Sequence, residues 1–97
     1  MVRKHKHDMY LELLCEKLKD EYDSLFVNIP LFSKKNRRIA EIDILAWKDG
    51  QCDVYEVKCS YRVTKAKKQL RRIKRLIPRV RNMFFFCGES RLLEEIV

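Results

Sequence analysis

The 97-residue chain holds only two glycines, two prolines and one tryptophan. So few backbone breakers, beside 46% hydrophobic residues, exclude a linker or a disordered tail. No apolar run approaches the roughly 20 residues that a membrane span needs. Residues 1–8 are basic, and no apolar stretch follows them, so they do not read as a secretory leader. The four cysteines, Cys15, Cys52, Cys59 and Cys87, show no spacing of a zinc or redox pair. They read as reduced, mostly buried thiols, which points to the cytoplasm. The length is that of a single domain, with residues 1–7 expected as a flexible tail.

One further absence is local. Residues 62–81 contain no acid and ten bases: Arg62, Lys65, Lys67, Lys68, Arg71, Arg72, Lys74, Arg75, Arg79 and Arg81. The whole chain has a net charge of +8, and the remainder outside this segment is slightly acidic. A concentrated basic segment on a near-neutral body suggests a polyanionic partner, most often nucleic acid. A solvated helix face is the plainer alternative.

Residues 8–22 read as a helix, with Leu11, Leu14, Cys15, Leu18 and Tyr22 on one stripe and Asp8 as N-cap. Strand formers dominate residues 25–32, where Pro30 favours a sheet edge. A polar basic turn, Ser33 with Lys34, Lys35, Arg37 and Arg38, leads into a strand over 39–47. Asp49-Gly50 signals a hairpin into a strand over 52–59. Residues 64–77 read as a helix, with Ala66, Leu70, Ile73 and Ile77 on its apolar face and Pro78 as its stop. Phe84-Phe85-Phe86 suggests a strand over 82–87 covered on both faces, and 89–97 a short terminal helix. The first three strands form a meander, and the fourth follows a helical crossover that permits parallel pairing. The expected architecture is α/β, a small mixed sheet flanked by helices.

Acids inside the strands carry the functional signal. Glu41 and Asp43 lie in one predicted strand, and Glu56 and Lys58 lie in the next. Buried carboxylates are costly unless they are paired or bind a cation. The hairpin can bring Asp43 and Glu56 to a common spot with Lys58 at its edge. Two carboxylates plus the Val57 backbone carbonyl make a hard-oxygen site suited to Mg²⁺. Cross-strand ion pairs on a wet sheet face are the competing reading.

Helix-borne Glu12, then Ile42-Asp43, then twelve residues, then Glu56-Val57-Lys58 resembles the PD-(D/E)XK nuclease superfamily. Within it the chain is most similar to the archaeal-type Holliday junction resolvases and their small stand-alone relatives. The similarity spans residues 12–77. It implies an αβββαβ restriction-endonuclease-like core and a Mg²⁺- or Mn²⁺-dependent endonuclease acting on DNA. Asp43 and Glu56 would be metal ligands, Lys58 catalytic, and Glu12 an assistant to the metal or its water. Asp8 and Glu16 are near enough to compete for that helix position, and Glu41 is a candidate secondary ligand or ion-pair partner. The proline that usually precedes the motif aspartate is Ile42 here.

The resemblance also implies phosphate contacts. Gln69 would face the scissile phosphate beside Lys65, Lys67, Lys68, Arg62, Arg71 and Arg72, with Ser33, Lys34, Lys35, Arg37 and Arg38 across the cleft. Cutting both strands of a symmetric junction requires two active sites, hence a homodimer. No small-molecule cofactor and no membrane partner are expected. His5 and His7 have the spacing of metal ligands on a strand but read as part of the basic tail, and Trp47 and Phe26 as core or subunit interface. Two other readings stay open: a non-catalytic nucleic-acid-binding module, and a nuclease subunit of a larger repair, recombination, defence or viral complex.

Overall fold

The computed structural model describes residues 5–97, so the first four residues of the tail expected over 1–7 lie outside the described residues. The elements in chain order are α1 (Lys6–Leu18), β1 (Ser24–Phe32), β2 (Arg38–Lys48), β3 (Gln51–Lys58), α2 (Val63–Leu76), β4 (Val80–Cys87) and β5 (Leu92–Ile96). They build a small α/β domain with one five-stranded mixed sheet and two helices. The sheet order follows the chain, β1-β2-β3-β4-β5. Only β3 and β4 are parallel, because α2 connects them as a crossover. No helix among the described residues is long and apolar enough to cross a membrane.

Local chemistry accounts for most of these elements. Asp49 and Gly50 take φ of 50° and 77°, the left-handed pair that a two-residue hairpin between twisted strands requires. Pro30 sits in edge strand β1, where a missing N–H costs least. Helix α2 buries Ala66, Leu70 and Ile73 against one face of the sheet, and α1 buries Leu11, Leu14 and Leu18 against the other. Phe85 joins the α2 cluster and Phe86 the α1 cluster, both almost fully buried. The triple-phenylalanine strand is therefore covered on both faces, as its continuous apolar run predicts.

Three expectations need correction. The terminal segment is a strand, not a helix: β5 pairs antiparallel with β4, setting Ile96 beside Met83 and into the α2 core. A helix this short is marginal in water, whereas the open edge of β4 offers a ready ladder. Helix α1 starts earlier and ends earlier than expected. His5 is its N-cap, so Lys6 and His7 are helical rather than tail, and Tyr22 lies beyond its end. Phe26 and Trp47 are half exposed, so they do not belong to this chain's core. All four cysteines are free, with Cys52 and Cys87 buried and Cys15 and Cys59 partly so.

One irregularity positions the site. In a regular strand, residues two or four apart share a face. Yet Leu25 packs with the α1 cluster and Ile29 with the α2 cluster. In the neighbouring strand Ile44 packs with α1 and Ile42 with α2. Both strands thus change phase between the Val27–Ile44 and Ile29–Ile42 rungs, where Asn28 adopts a φ of 53°. Asparagine is among the few side chains that tolerate this left-handed backbone. Asp43 stands opposite Asn28 at this break, where β2 also parts from β3: their pairing ends at Ile44–Tyr55.

Candidate active site

The parting of β2 from β3 leaves the backbone of Val57 without a ladder partner on that side. Asp43 and His7 take over. The Val57 N–H donates to Asp43 Oδ2 at 2.8 Å, and the Val57 carbonyl meets His7 Nε2 at 3.0 Å. His7 Nε2 also lies 3.4 Å from Asp43 Oδ2. The histidine comes from the first turn of α1, on the face opposite α2.

Glu56 follows the alternation of Cys52 and Val54 and so points to the α2 side, with Lys58 two residues on. Lys58 Nζ pairs with Glu56 Oε2 at 3.1 Å. Glu56 is 4% and Asp43 7% exposed. The other oxygen of Glu56, Oε1, is buried with no hydrogen-bond partner among the described residues. Burial, and then the negative charge of Asp43, push the Glu56 carboxyl up to about 7 in spite of Lys58. The hydrogen bond to Asp43 is the largest influence on His7 and raises it above the usual histidine range, against the lowering effect of burial.

Both shifts have the same sign for stability. Each group, raised in the folded state, stabilises most below its unfolded pKa and loses that contribution as pH rises through the folded value. For Glu56 the window runs from about 4.5 to about 7. The metal-free fold is therefore expected to weaken between pH 5 and pH 8. Glu56→Gln removes the buried charge and is expected to gain on the order of 2 kcal/mol at pH 8, with little gain at pH 4.5. Thermal denaturation of both proteins across that range checks this; equal melting temperatures at every pH would refute it.

The residue chemistry fits a divalent cation. An orphaned carboxylate oxygen, a second buried carboxylate and an adjacent carbonyl are hard oxygen donors. Among the described residues no three His, Cys, Asp or Glu side chains are grouped so that they could hold a metal ion by themselves. A cation here would rest on Asp43, Glu56 and the Val57 carbonyl, completed by water and phosphate, as Mg²⁺ sites commonly are.

The remaining predicted residues fall in several places. Lys58, Lys65, Lys68, Gln69 and Arg72 line one open cleft of about 300 Å³, so α2 does bring cations beside the ion pair. Gln69 Nε2 donates to the Glu41 carbonyl at 3.1 Å, and Arg72 Nη1 to the Ile39 carbonyl at 3.1 Å. These bonds fasten β2 to α2 and form one wall of that cleft. Arg38, Arg72 and Arg75 line a neighbouring hollow, and Lys68, Arg71 and Arg75 a third. Arg62 is exposed ahead of α2, and Lys67 is half-buried within it. Lys34, Lys35 and Arg37 are exposed on the β1–β2 turn. Ser33 Oγ accepts the N–H groups of Lys35 and Arg37 at 3.3 Å, which makes it a turn-stabilising residue.

Two expected site residues lie elsewhere. Glu41 pairs with Arg38 at 3.0 Å. Its strand has already changed phase, so Glu41 no longer follows Asp43. Glu12 is exposed, five residues along α1 from His7 and about 140° around the helix from it. Of its competitors, Glu16 pairs with Lys19, while Asp8 Oδ1 lies 4.0 Å from His7 Nδ1. The helix residue that touches Asp43 is His7, which the sequence reading set aside with the tail. Its signal would have been position alone: the first turn of a helix that starts at Lys6.

Two members of the basic run are structural. Lys74 Nζ donates to the carbonyls of Pro78 and Val80 and closes the end of α2. Arg81 binds Asp53, which the sequence reading did not single out.

Compared with protein-family models, curated proteins and solved structures, the chain matches none.

Proposed function

We infer that this protein is a divalent-cation-dependent DNA endonuclease with a restriction-endonuclease-like core, hydrolysing phosphodiester bonds structure-selectively or without sequence preference. The observation that carries this reading is the meeting of Asp43, Glu56 and Lys58 at the β2–β3 parting, with one Glu56 oxygen buried and unpartnered. Two buried acids side by side weaken a fold and recur where binding or chemistry needs them. The neighbouring cleft supplies Lys65, Lys68 and Arg72 for the phosphates of a nucleic acid.

Each residue has a distinct task. Asp43 and Glu56, with the Val57 carbonyl, would hold Mg²⁺ or Mn²⁺. When bound, the cation supplies positive charge beside the phosphate and makes a water more acidic. Lys58, adjacent to Glu56, orients the attacking water or neutralises charge that develops on the phosphate. The exposed cations of α2 hold the backbone in place without reading bases. A homodimer would present two such sites to a branched substrate.

The test is incubation of the protein with four-way-junction, duplex and single-stranded DNA, with Mg²⁺, with Mn²⁺ and with EDTA. Cleavage that needs metal supports the reading; tight binding with no cleavage in either metal supports a binding module instead. Binding is also expected to weaken steeply with salt. Lys65→Ala with Lys68→Ala should make the slope of log affinity against log salt shallower by about 2. An unchanged slope would place the DNA elsewhere.

A further inference from the structure

We propose that the hollow between Arg38, Arg72 and Arg75 is a separate phosphate site, which holds a nucleic-acid strand at a point removed from the cleft of Lys58. The proposal rests on the nucleic-acid part of the reading above and needs nothing of the cation site.

Composition separates this hollow from the cleft beside the acids. The cleft is lined by three lysines, Lys58, Lys65 and Lys68, with Gln69 and Arg72. The hollow, of about 510 Å³, is lined by three arginines, Arg38, Arg72 and Arg75, with Ile39 and Leu76. Arg72 belongs to both, so the two make one path along the flank of α2. Lysine offers a point charge on a flexible stem, whereas arginine offers a planar fork that binds two oxygens of one phosphate. Along α2 the middle of the hollow lies roughly six residues beyond that of the cleft, or about 9 Å of helix axis. A stacked strand rises about 3.4 Å per nucleotide, so the two places are about three nucleotides apart.

The arginines come from two elements, and two of them are already fixed. Arg72 Nη1 donates to the Ile39 carbonyl at 3.1 Å, and Arg38 Nη2 pairs with Glu41 Oε2 at 3.0 Å. Arg75 stands one turn beyond Arg72, and its guanidinium has no ion-pair or hydrogen-bond partner among the described residues. Three guanidiniums are thus answered by one carboxylate. Like charges one turn apart on a helix repel, and a phosphate between them turns that repulsion into attraction. Leu76, left 43% exposed, and Ile39 add an apolar wall for a sugar or a base edge.

The experiment measures binding of a 3′-labelled oligothymidylate, long enough to cover both places, to the full chain by fluorescence anisotropy in EDTA. The strand is used with and without a 5′-phosphate. Wild type, Arg75→Ala, Arg75→Lys and Arg79→Ala are compared, and melting curves check that each is folded. Arg79 is exposed between α2 and β4, outside the hollows described, and controls for charge alone. Arg75→Ala is expected to weaken binding about tenfold, and Arg79→Ala by less than about twofold. Arg75→Lys is expected to recover less than half of the loss, since it restores the charge and not the fork. In NMR spectra the oligothymidylate is expected to shift the side-chain Nε–H signals of Arg38, Arg72 and Arg75 together. A 5′-phosphate that tightens binding in the wild type but not in Arg75→Ala assigns the hollow to a strand end; equal binding of both strands assigns it to an internal phosphate. Equal losses in Arg75→Ala and Arg79→Ala, or full recovery in Arg75→Lys, would overturn the site and leave only diffuse charge. Metal-dependent cleavage is read separately: cleavage without the Arg75 effect keeps the nuclease reading alone, and the Arg75 effect without cleavage keeps the phosphate site alone.

Discussion

Asp43→Asn is expected to lower metal-dependent cleavage about a thousandfold or more while leaving DNA affinity within about threefold. The substitution is nearly isosteric. Its side-chain oxygen can still accept the Val57 N–H, which Asp43 binds at 2.8 Å, so the parting of β2 and β3 is preserved. One negative charge disappears beside buried Glu56, which removes repulsion and spares the fold. A cation held there would lose a charged ligand, whereas phosphate binding by the α2 bases would be untouched. Lys58→Ala should cost about a hundredfold by the same assay, because both proposed cation ligands would remain and only the proposed helper of the attacking water would be lost. Single-turnover cleavage and filter binding on the same DNA separate the two effects. Wild-type cleavage by Asp43→Asn would sink the site assignment, and loss of binding in step with cleavage would place Asp43 in the DNA interface instead.

Asp53→Ala is expected to destabilise the protein by about 3 kcal/mol, lowering the melting temperature by roughly 15 °C. Asp53 is 1% exposed in β3 and accepts four hydrogen bonds. They come from the Tyr22 hydroxyl at 2.6 Å, Arg81 Nε at 3.0 Å, Arg81 Nη2 at 2.9 Å and the Asn82 N–H at 3.1 Å. Tyr22 in turn meets the Tyr55 hydroxyl at 2.7 Å. Truncation takes the carboxylate from the Arg81 guanidinium and the Tyr22 phenol, which keep only Gln51 and Tyr55, and from the Asn82 N–H. Arg81 is partly exposed and regains some water, which keeps the cost below that of a fully buried pair. Burial alone would raise the Asp53 carboxyl; the bonds from Arg81, Tyr22 and Asn82 outweigh it and hold it below the usual range. Its contribution is therefore present above about pH 4 and lost as pH falls through the lower folded value. Asp53→Asn should lose less than Asp53→Ala. Since Asp53 points to the α1 side of β3, the folded fraction of either variant should keep its cleavage rate. Melting curves at pH 7 and pH 3 decide this, and an Asp53→Ala protein that melts with the wild type would show that the network contributes nothing.

The two predictions concern buried acids of the same strand, and they differ in what surrounds each. Asp53 is satisfied on every side, which is the mark of a structural charge. Glu56, three residues later and on the opposite face, keeps an oxygen with no partner among the described residues. The sequence marks Glu56 through Lys58, two residues on, but gives Asp53 no such signal, because the partners that satisfy it come from Tyr22, Arg81 and Asn82, far away in the chain.

The local code of the chain was enough for the meander, the Asp49-Gly50 hairpin, the amphipathic crossover helix and the doubly covered Phe85-Phe86 strand. Each depends on periodicity or turn chemistry within about a dozen residues. The same code marked Asp43, Glu56 and Lys58, because a charge inside an apolar strand is conspicuous whatever the strand packs against. Tertiary structure alone decided the rest. The open edge of β4 made a strand of the last residues. The phase change at Asn28 and Asp43 turned Glu41 away towards Arg38. The start of α1 brought His7 rather than Glu12 to Asp43, and two of the basic residues went to close α2 and to neutralise Asp53. Periodicity reports which face a residue takes within its own element. Which faces meet, and where two strands part, is settled by packing between elements far apart in the chain.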